Sequence, residues 1–322
     1  MIRVREQGGF KLPLRYCNKY IEVGVSNRYI TTEEEKKLSF DRLSILSENS
    51  RKLIFDLNGG FPKIFSLISI ETSSGCNQNC PFCPVNNSVD PRPRNLLPME
   101  FIEKIANELS TINYSFAILP FGNNEPLLDE RIFEIISIFR EKCPKSYIKL
   151  LTNGLLLSVE KALKLFECGL NTLTINNYSS TNKLSNPVCD IIDNAKEFIC
   201  KDLRISLRNK SESLTNRGGS IFVNCNIDYR NIFCALPFVD LNISFTGNFK
   251  LCCFDALGET NFGSVGNSSL VEIWNSDNFI EIRKKIIRSR KLIDFCAKCN
   301  FDGFRDPLQD WVMPLMREDL LD

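Results

Sequence analysis

Ile64-Phe65-Ser66-Leu67-Ile68-Ser69-Ile70-Glu71-Thr72, followed closely by Cys76-Asn77-Gln78-Asn79-Cys80-Pro81-Phe82-Cys83, is the stretch from which the fold is read. The first run is short, apolar and rich in β-branched residues, the composition of a strand. The second places three thiols in C-x-x-x-C-x-x-C spacing on the loop that leaves it. Downstream, apolar runs alternate with helical patterns. Strands are expected over Ile64 to Glu71, Tyr114 to Leu119, Tyr147 to Leu151, Thr172 to Ile175 and Leu203 to Leu207. Helices are expected near Met99 to Leu109, Glu130 to Glu141, Val159 to Glu167 and Asp190 to Ile199. Strands separated by helices imply a parallel α/β sheet or barrel, whose chemistry gathers in the loops after the strands.

The chain has 322 residues, 43% hydrophobic, with 40 Lys+Arg against 39 Asp+Glu. That length buries a sizeable core, and near-neutral charge provides no overall field for nucleic acid or an anionic membrane. No apolar stretch is long enough for a membrane helix. There is no histidine, which removes Ser-His and Cys-His nucleophilic systems and every histidine-bearing metal site. There are 14 cysteines. The opening MIRVREQGGF lacks the charged start and apolar run of an export signal, so a cytoplasmic chain that uses its cysteines for metal or redox chemistry is expected, not a disulfide scaffold.

Residues 1–64 carry twelve Lys+Arg and eight Asp+Glu and read as an N-terminal extension, a cap on the barrel or a grip for a leader peptide. Residues 65–220 form the barrel. Past Arg217-Gly218-Gly219 the texture changes to LNISFTGNFKLCCFD, a hairpin with a Gly-Asn turn. A helix around Val271 to Ile287 and a loop carrying Cys296 and Cys299 follow. Residues 221–305 therefore form a smaller α+β domain, and residues 306–322 a tail.

Three thiolates hold three irons of a 4Fe-4S cluster and leave the fourth open to an external ligand, whereas closed sites ordinarily use four cysteines. The C-x-x-x-C-x-aromatic-C loop after a first strand resembles the radical S-adenosylmethionine superfamily, which implies a partial (β/α)6 barrel and a cofactor whose amine and carboxylate chelate the open iron. Phe121-Gly122-Asn123-Asn124-Glu125-Pro126 is similar to that family's Gly-Gly-Glu-Pro loop, departing at Asn for the second glycine. The resemblance assigns Cys76, Cys80 and Cys83 to the cluster. It assigns Phe82, Gly122, Asn123, Asn124, Glu125, Pro126, Thr152, Asn153 and Asn176 to the cofactor, with Glu125 on its amino group and Asn176 near its ribose.

Cys234, Gly247 and Cys252 match the opening of the SPASM domain, and Cys296-Ala297-Lys298-Cys299 supplies a later C-x-x-C. Phe301 to Asp322 contains no further cysteine, so the chain resembles the shorter twitch variant with one auxiliary 4Fe-4S cluster on Cys234, Cys252, Cys296 and Cys299. Four thiolates also suit zinc, and Cys225 and Cys253 are possible substitutes in the set. Cys17, Cys143, Cys168, Cys189 and Cys200 are expected to be structural.

The resemblance implies reductive cleavage of S-adenosylmethionine and hydrogen abstraction from substrate carbon, with electrons from a flavodoxin- or ferredoxin-type donor. A ribosomally made peptide is the expected substrate. The alternative is a small aminocyclitol or sugar, with Arg217 as a substrate contact. Oxidation is the simplest outcome. Epimerisation would need a hydrogen donor, for which Cys225 and Cys253 are the candidates. A metal-binding scaffold without catalysis is the non-enzymatic alternative.

Overall fold

The computed structural model describes residues 21–26, most of 44–59, and 60–303 apart from 87, 211–214 and 223–227. Eight strands lie in one sheet: β1 (Ile21–Ser26), β2 (Leu67–Ile70), β3 (Ala117–Leu119), β4 (Tyr147–Thr152), β5 (Thr172–Ser179), β6 (Asp202–Asn209), β7 (Asp240–Ile243) and β8 (Phe249–Lys250). Their order is β1-β6-β5-β4-β3-β2-β7-β8, parallel throughout except for the β7–β8 hairpin. The central β2 and β3 are buried at every position, as expected where helices cover a parallel sheet. On the other side of β3, β4 and β6 alternate buried with half-buried side chains.

Helices α1 (Met99–Thr111), α2 (Ile132–Lys142), α3 (Val159–Glu167) and α4 (Asn186–Asp193) connect the parallel strands. α1 buries Ile102, Ile105, Ala106 and Leu109, the 3–4 spacing that puts one apolar stripe against the sheet. α3 starts where the Ser158 hydroxyl accepts the Lys161 N–H, satisfying an orphan donor of the first turn.

Three expectations are corrected. The helix expected from Asp190 begins earlier, at Asn186, because Pro187 near its start is pre-shaped for the first turn. It then gives way to a 3₁₀ turn over Ala195–Phe198. The helix expected over Val271 to Ile287 is two, α6 (Leu270–Trp274) and α7 (Asp277–Arg288), separated where Ser276 caps the second by accepting the Phe279 N–H. Cys200, expected to be structural, is exposed in a left-handed turn at φ 70°.

Two strand placements were not visible in the sequence. β1, inside the N-terminal extension, pairs in parallel with β6 from Ile21↔Leu203 to Ser26↔Arg208. β7, the first arm of the expected hairpin, pairs in parallel with β2 from Leu67↔Asp240 to Ile70↔Ile243. The sheet therefore runs unbroken past residue 220. Short helices α5 (Leu236–Val239) and α8 (Asp294–Lys298) complete the C-terminal segment. Its packing is joined to the barrel through Trp274, whose ring meets Phe65 edge-on at 5.5 Å and whose indole N–H donates to the Pro62 carbonyl at 2.8 Å. Among the described residues no helix is long and apolar enough to cross a membrane.

Candidate active site

The loop after β2 is drawn over the sheet's C-terminal edge. Gly75 pairs with Asn124, and its carbonyl accepts the Glu125 N–H at 2.8 Å. This brings the first cysteines against the Gly122–Pro126 loop. The Glu125 carboxylate is buried and accepts three hydrogen bonds, from Leu127 N (3.1 Å), the Thr152 hydroxyl (2.6 Å) and Asn153 N (2.8 Å). Burial raises its pKa, with those donors opposing. Four lone-pair directions and three donors leave one for a cation. The Asn153 amide donates to Asn77 at 2.6 Å and lies 3.7 Å from the Cys76 sulfur, which also receives the Gln78 N–H at 3.4 Å.

Phe82 is buried, with its ring 5.2 Å from that of Tyr178 near the end of β5. Asn176 is buried on β5. Its neighbour Asn177 braces the following loop, accepting Ser185 N at 2.8 Å and donating to the Lys183 carbonyl at 3.2 Å.

Asn123 and Gly122 are engaged with neighbouring loops of the chain. The Asn123 amide donates to the Cys253 carbonyl at 3.0 Å, its N–H to Glu71 at 3.0 Å, and its carbonyl accepts Arg92 at 2.8 Å. A Cβ on Gly122 would stand 2.5 Å from Glu71 Cγ, so this glycine makes room for Glu71. Asn124 folds back on the loop, accepting the Gly122 N–H at 2.9 Å and donating to Ser73 at 3.2 Å. Pro126 opens the 3₁₀ turn that Glu125 caps.

Glu71, Arg92 and Lys250 form a buried hub that the motifs did not reveal. Glu71 accepts Lys250 at 2.6 Å and lies 3.4 Å from Arg92. Arg92 also binds Asp90 at 2.9 Å and the Ala256 carbonyl at 3.1 Å. Residues from the loop after the first cysteine set, the Gly122–Pro126 loop and the loop after Cys252 are thereby held together. The available signal was a charge next to apolar strand residues, Ile70-Glu71 and Phe249-Lys250, because such a charge needs a buried partner.

Cys234, Cys252, Cys296 and Cys299 are all buried. Burial pushes Cys234 up to about 11 and Cys296 up to about 12, and burial with neighbouring thiols raises Cys252 well above the ordinary range. Arg290 is buried beside them. It donates to the Phe301 carbonyl at 2.7 Å, while its Nε has no hydrogen-bond partner. Cys253 is half-buried and electrostatically close to Cys234 and Cys252. Cys225 and Cys17 lie outside the described residues, as do most of the N-terminal extension and residues 306–322.

The Asn216–Gly219 turn is fastened to the second set. Asn216 and Asn300 exchange hydrogen bonds at 2.7 and 3.1 Å, and the Asn216 amide reaches the Lys298 carbonyl at 2.6 Å. A Cβ on Gly218, at φ 68°, would meet the Phe295 ring at 2.1 Å. Arg217 itself has φ 50°, a strained conformation for a side chain with a Cβ. Its guanidinium lies 5.4 Å from the Phe254 ring centroid, and its Nε is buried without a partner.

Both donor sets fit iron-sulfur clusters. Buried thiols need a cationic core to be held as thiolates, and N–H groups directed at the Cys76 sulfur are the kind that tune such clusters. At the second set, the unpartnered Arg290 Nε is suited to an anionic cluster. Cys76, Cys80 and Cys83 would hold the first cluster, and Cys234, Cys252, Cys296 and Cys299 the second.

Comparison with known proteins agrees. Residues 70–199 match the family model described as the radical SAM superfamily, and residues 234–300 the one described as an iron-sulfur cluster-binding SPASM domain. A curated relative, the S-adenosyl-L-methionine-dependent 2-deoxy-scyllo-inosamine dehydrogenase of Niallia circulans, is 25% identical over 240 residues, covering 74% of this chain and 94% of its own. The fold is similar to that of BtrN in complex with AdoMet and 2-DOIA, with TM-score 0.65 and 23% identity over 74% of this chain and 94% of that one. It is also similar to BtrN in an open conformation, with TM-score 0.58 and 20% identity over 76% and 98%. With three thiols and a buried carboxylate gathered at the strand ends and a second thiol set beside them, the chain is a radical SAM enzyme that carries a C-terminal SPASM-type iron-sulfur domain.

Proposed function

We propose that this enzyme is a dehydrogenase of a small hydroxylated molecule, oxidising a carbon that bears an alcohol. The observation that carries the reading is Arg217: a strained backbone, a buried Nε without a partner, and a turn bolted to the second cysteine set. A side chain held at such cost suits a compact ligand that is anchored by a few buried polar groups. A long peptide would distribute its contacts. The curated relative named above, a small-molecule dehydrogenase matched along nearly its whole length, supports the same choice. The small-molecule alternative therefore takes precedence over the peptide expected from family frequency.

When bound, the first cluster and S-adenosylmethionine supply hydrogen-atom abstraction and the second cluster an electron acceptor, so that an alcohol losing a hydrogen atom, an electron and a proton becomes a ketone. The chain's own contribution is positional. Glu125 offers its remaining lone pair to the cofactor's ammonium, a charge-assisted bond. Asn153 and Gln78 orient Cys76. Arg217 orients the substrate between the two cysteine sets. A flavodoxin- or ferredoxin-type protein supplies the reducing electron.

The test is anaerobic reconstitution with dithionite and a panel of ring-deuterated cyclitols and sugars. Deuterium in 5′-deoxyadenosine together with a ketone product is the expected result. If no polyol raises 5′-deoxyadenosine above the substrate-free level while a peptide does, the peptide reading replaces this one.

A further inference from the structure

Two arginines of the C-terminal segment are almost wholly buried, Arg283 at 1% and Arg290 at 2% exposure. Neither makes an ion pair with a described carboxylate, although a buried charge is costly unless something compensates it. For Arg283 the compensation is visible. Its guanidinium lies 3.8 Å from the Trp274 ring centroid and 4.2 Å from that of Phe279, and it donates to the Pro237 and Trp274 carbonyls at 2.8 and 2.6 Å. Aromatic faces and carbonyls take up that charge.

Among the described residues no ring stands over Arg290. It opens the 3₁₀ turn Arg290–Leu292, directly before α8, which carries Cys296. One terminal nitrogen, Nη2, donates to the Phe301 carbonyl at 2.7 Å and reaches that of Cys299 at 3.5 Å. Phe301 in turn gives its N–H to the Cys299 sulfur at 3.4 Å. The other, Nη1, lies beside Gly303, where a Cβ would stand 3.2 Å from it and 2.3 Å from the carbonyl oxygen of Phe233, the neighbour of Cys234. The side chain is therefore wedged between the backbone segments that carry Cys234, Cys296 and Cys299, and its buried Nε has no partner. Its charge is felt at the sulfurs as well, because burial pushes Cys234 and Cys296 up while Arg290 pulls both down.

Four thiolates around a 4Fe-4S core make a doubly negative group, and uptake of one electron makes it triply negative with no proton moved. A buried cation alongside attracts the more highly charged form more strongly, and local charge and hydrogen bonds to sulfur set the potentials of such clusters. We propose that Arg290 tunes the second cluster, its guanidinium and unpartnered Nε–H raising that cluster's reduction potential. In the oxidation proposed above, the electron released by the substrate is the one this tuning favours. The inference itself rests on the second thiol set holding a cluster and on no particular substrate.

The experiment is a potentiometric titration of the reconstituted full-length enzyme, without substrate, followed by electron paramagnetic resonance. S-adenosylmethionine alters the signal of the cluster with the open iron, so the signal it leaves unchanged belongs to the second. In Arg290→Gln the ratio of reduced to oxidised second cluster at a fixed potential should fall at least about tenfold, which is about 59 mV for one electron. Arg290→Lys keeps the charge and should recover at least about half of that shift. Arg283→Lys, at the arginine covered by rings, should leave the ratio within about twofold, which separates tuning from a general loosening of the segment. One readout needs no variant to fold. In the natural chain, arginine labelled with nitrogen-15 in its guanidino group should give a nitrogen-15 coupling on the second cluster's signal, and Arg290→Lys should remove it.

A potential that Arg290→Gln leaves unchanged or raises would overturn the inference and make Arg290 a structural clamp on the Cys299 and Phe301 carbonyls. An equal shift in Arg283→Lys would overturn it too. If Arg290→Gln does not fold or take up iron, the natural chain decides, and absence of the nitrogen-15 coupling counts against the proposal. Zinc in place of iron at the second set would also overturn it. Failure of the dehydrogenase reading shows separately, as 5′-deoxyadenosine formation stimulated by peptide and by no polyol, and leaves the potential of the second cluster untouched.

Discussion

Lys250 Nζ and Glu71 Oε1 lie 2.6 Å apart with side chains only 3% and 1% exposed, joining the hairpin strand β8 to the end of β2. The pair sits where the Gly122–Pro126 loop and the loop after Cys252 come together, and Arg92 and Asn123 extend it to both.

Removing one member should be costly. Lys250→Met leaves Glu71 buried with Arg92 at 3.4 Å as its remaining cation, and loss of one partner from a buried pair costs about 3–5 kcal/mol. Lys250→Met combined with Glu71→Leu should recover most of that, because apolar replacement of both members of a buried pair is often neutral. Urea unfolding of the single and double variants checks this, and a double variant as unstable as the single one would contradict it.

Acid should loosen the same hub. Burial works to raise the Glu71 carboxyl, but Lys250 and Arg92 outweigh it and leave the group below its ordinary value. A depressed folded-state pKa contributes stability that is fully present above the unfolded value and is lost as pH falls through the folded one. The stability gap between the natural chain and Glu71→Gln should therefore narrow as pH drops below the ordinary carboxyl range, measured by unfolding midpoints across pH.

Glu125 titrates in the opposite sense. Burial raises its pKa, so the ionised form that attracts an ammonium is lost at a higher pH than for an exposed carboxyl. S-adenosylmethionine affinity should fall on the acid side as pH drops through that raised value, and Glu125→Gln should abolish this dependence. At neutral pH, Glu125→Ala should weaken binding by roughly ten- to a hundredfold, the worth of a charge-assisted bond of about 1.5–3 kcal/mol. Equilibrium binding with unchanged cluster absorbance is the measurement.

Two separate thiol sets imply about eight irons per chain after anaerobic reconstitution. The Cys76→Ala, Cys80→Ala, Cys83→Ala triple variant should keep about half and form no 5′-deoxyadenosine. Tightly bound zinc at the second set, found by metal analysis, would be inconsistent with the auxiliary cluster.

Trp274 tests the union of the C-terminal segment with the barrel. It is fully buried, contacts Phe65 and donates to Pro62. Trp274→Ala should cost about 3–5 kcal/mol, as for other large aromatics removed from a core, and should broaden or split the unfolding transition if the segment then melts separately.

Local chemistry made much of this protein readable in advance. A β-branched run ending in Cys76-x-x-x-Cys80-x-x-Cys83 declares a strand followed by a metal-binding loop, because thiol spacing is a property of adjacent residues. The alternating strands and helices from Ile64 to Leu207 follow from hydrophobic period alone, and the Gly-Asn turn of the β7–β8 hairpin from backbone preference. The complete absence of histidine excluded whole classes of catalyst without any structure.

Pairings between distant residues were decided only by the tertiary fold. Nothing near Ile21 announces a partner at Leu203, and nothing near Asp240 announces Leu67, because parallel strands are joined by hydrogen bonds across sequence separations that no local pattern encodes. For the same reason the motif around Asn123 gives no sign that its side chain reaches the Cys253 carbonyl. Residue types and spacing determine which groups can bind iron, but which charges neutralise one another, as Glu71 does with Lys250 and Arg92, is settled only when the loops meet, because those partners lie far apart in the chain.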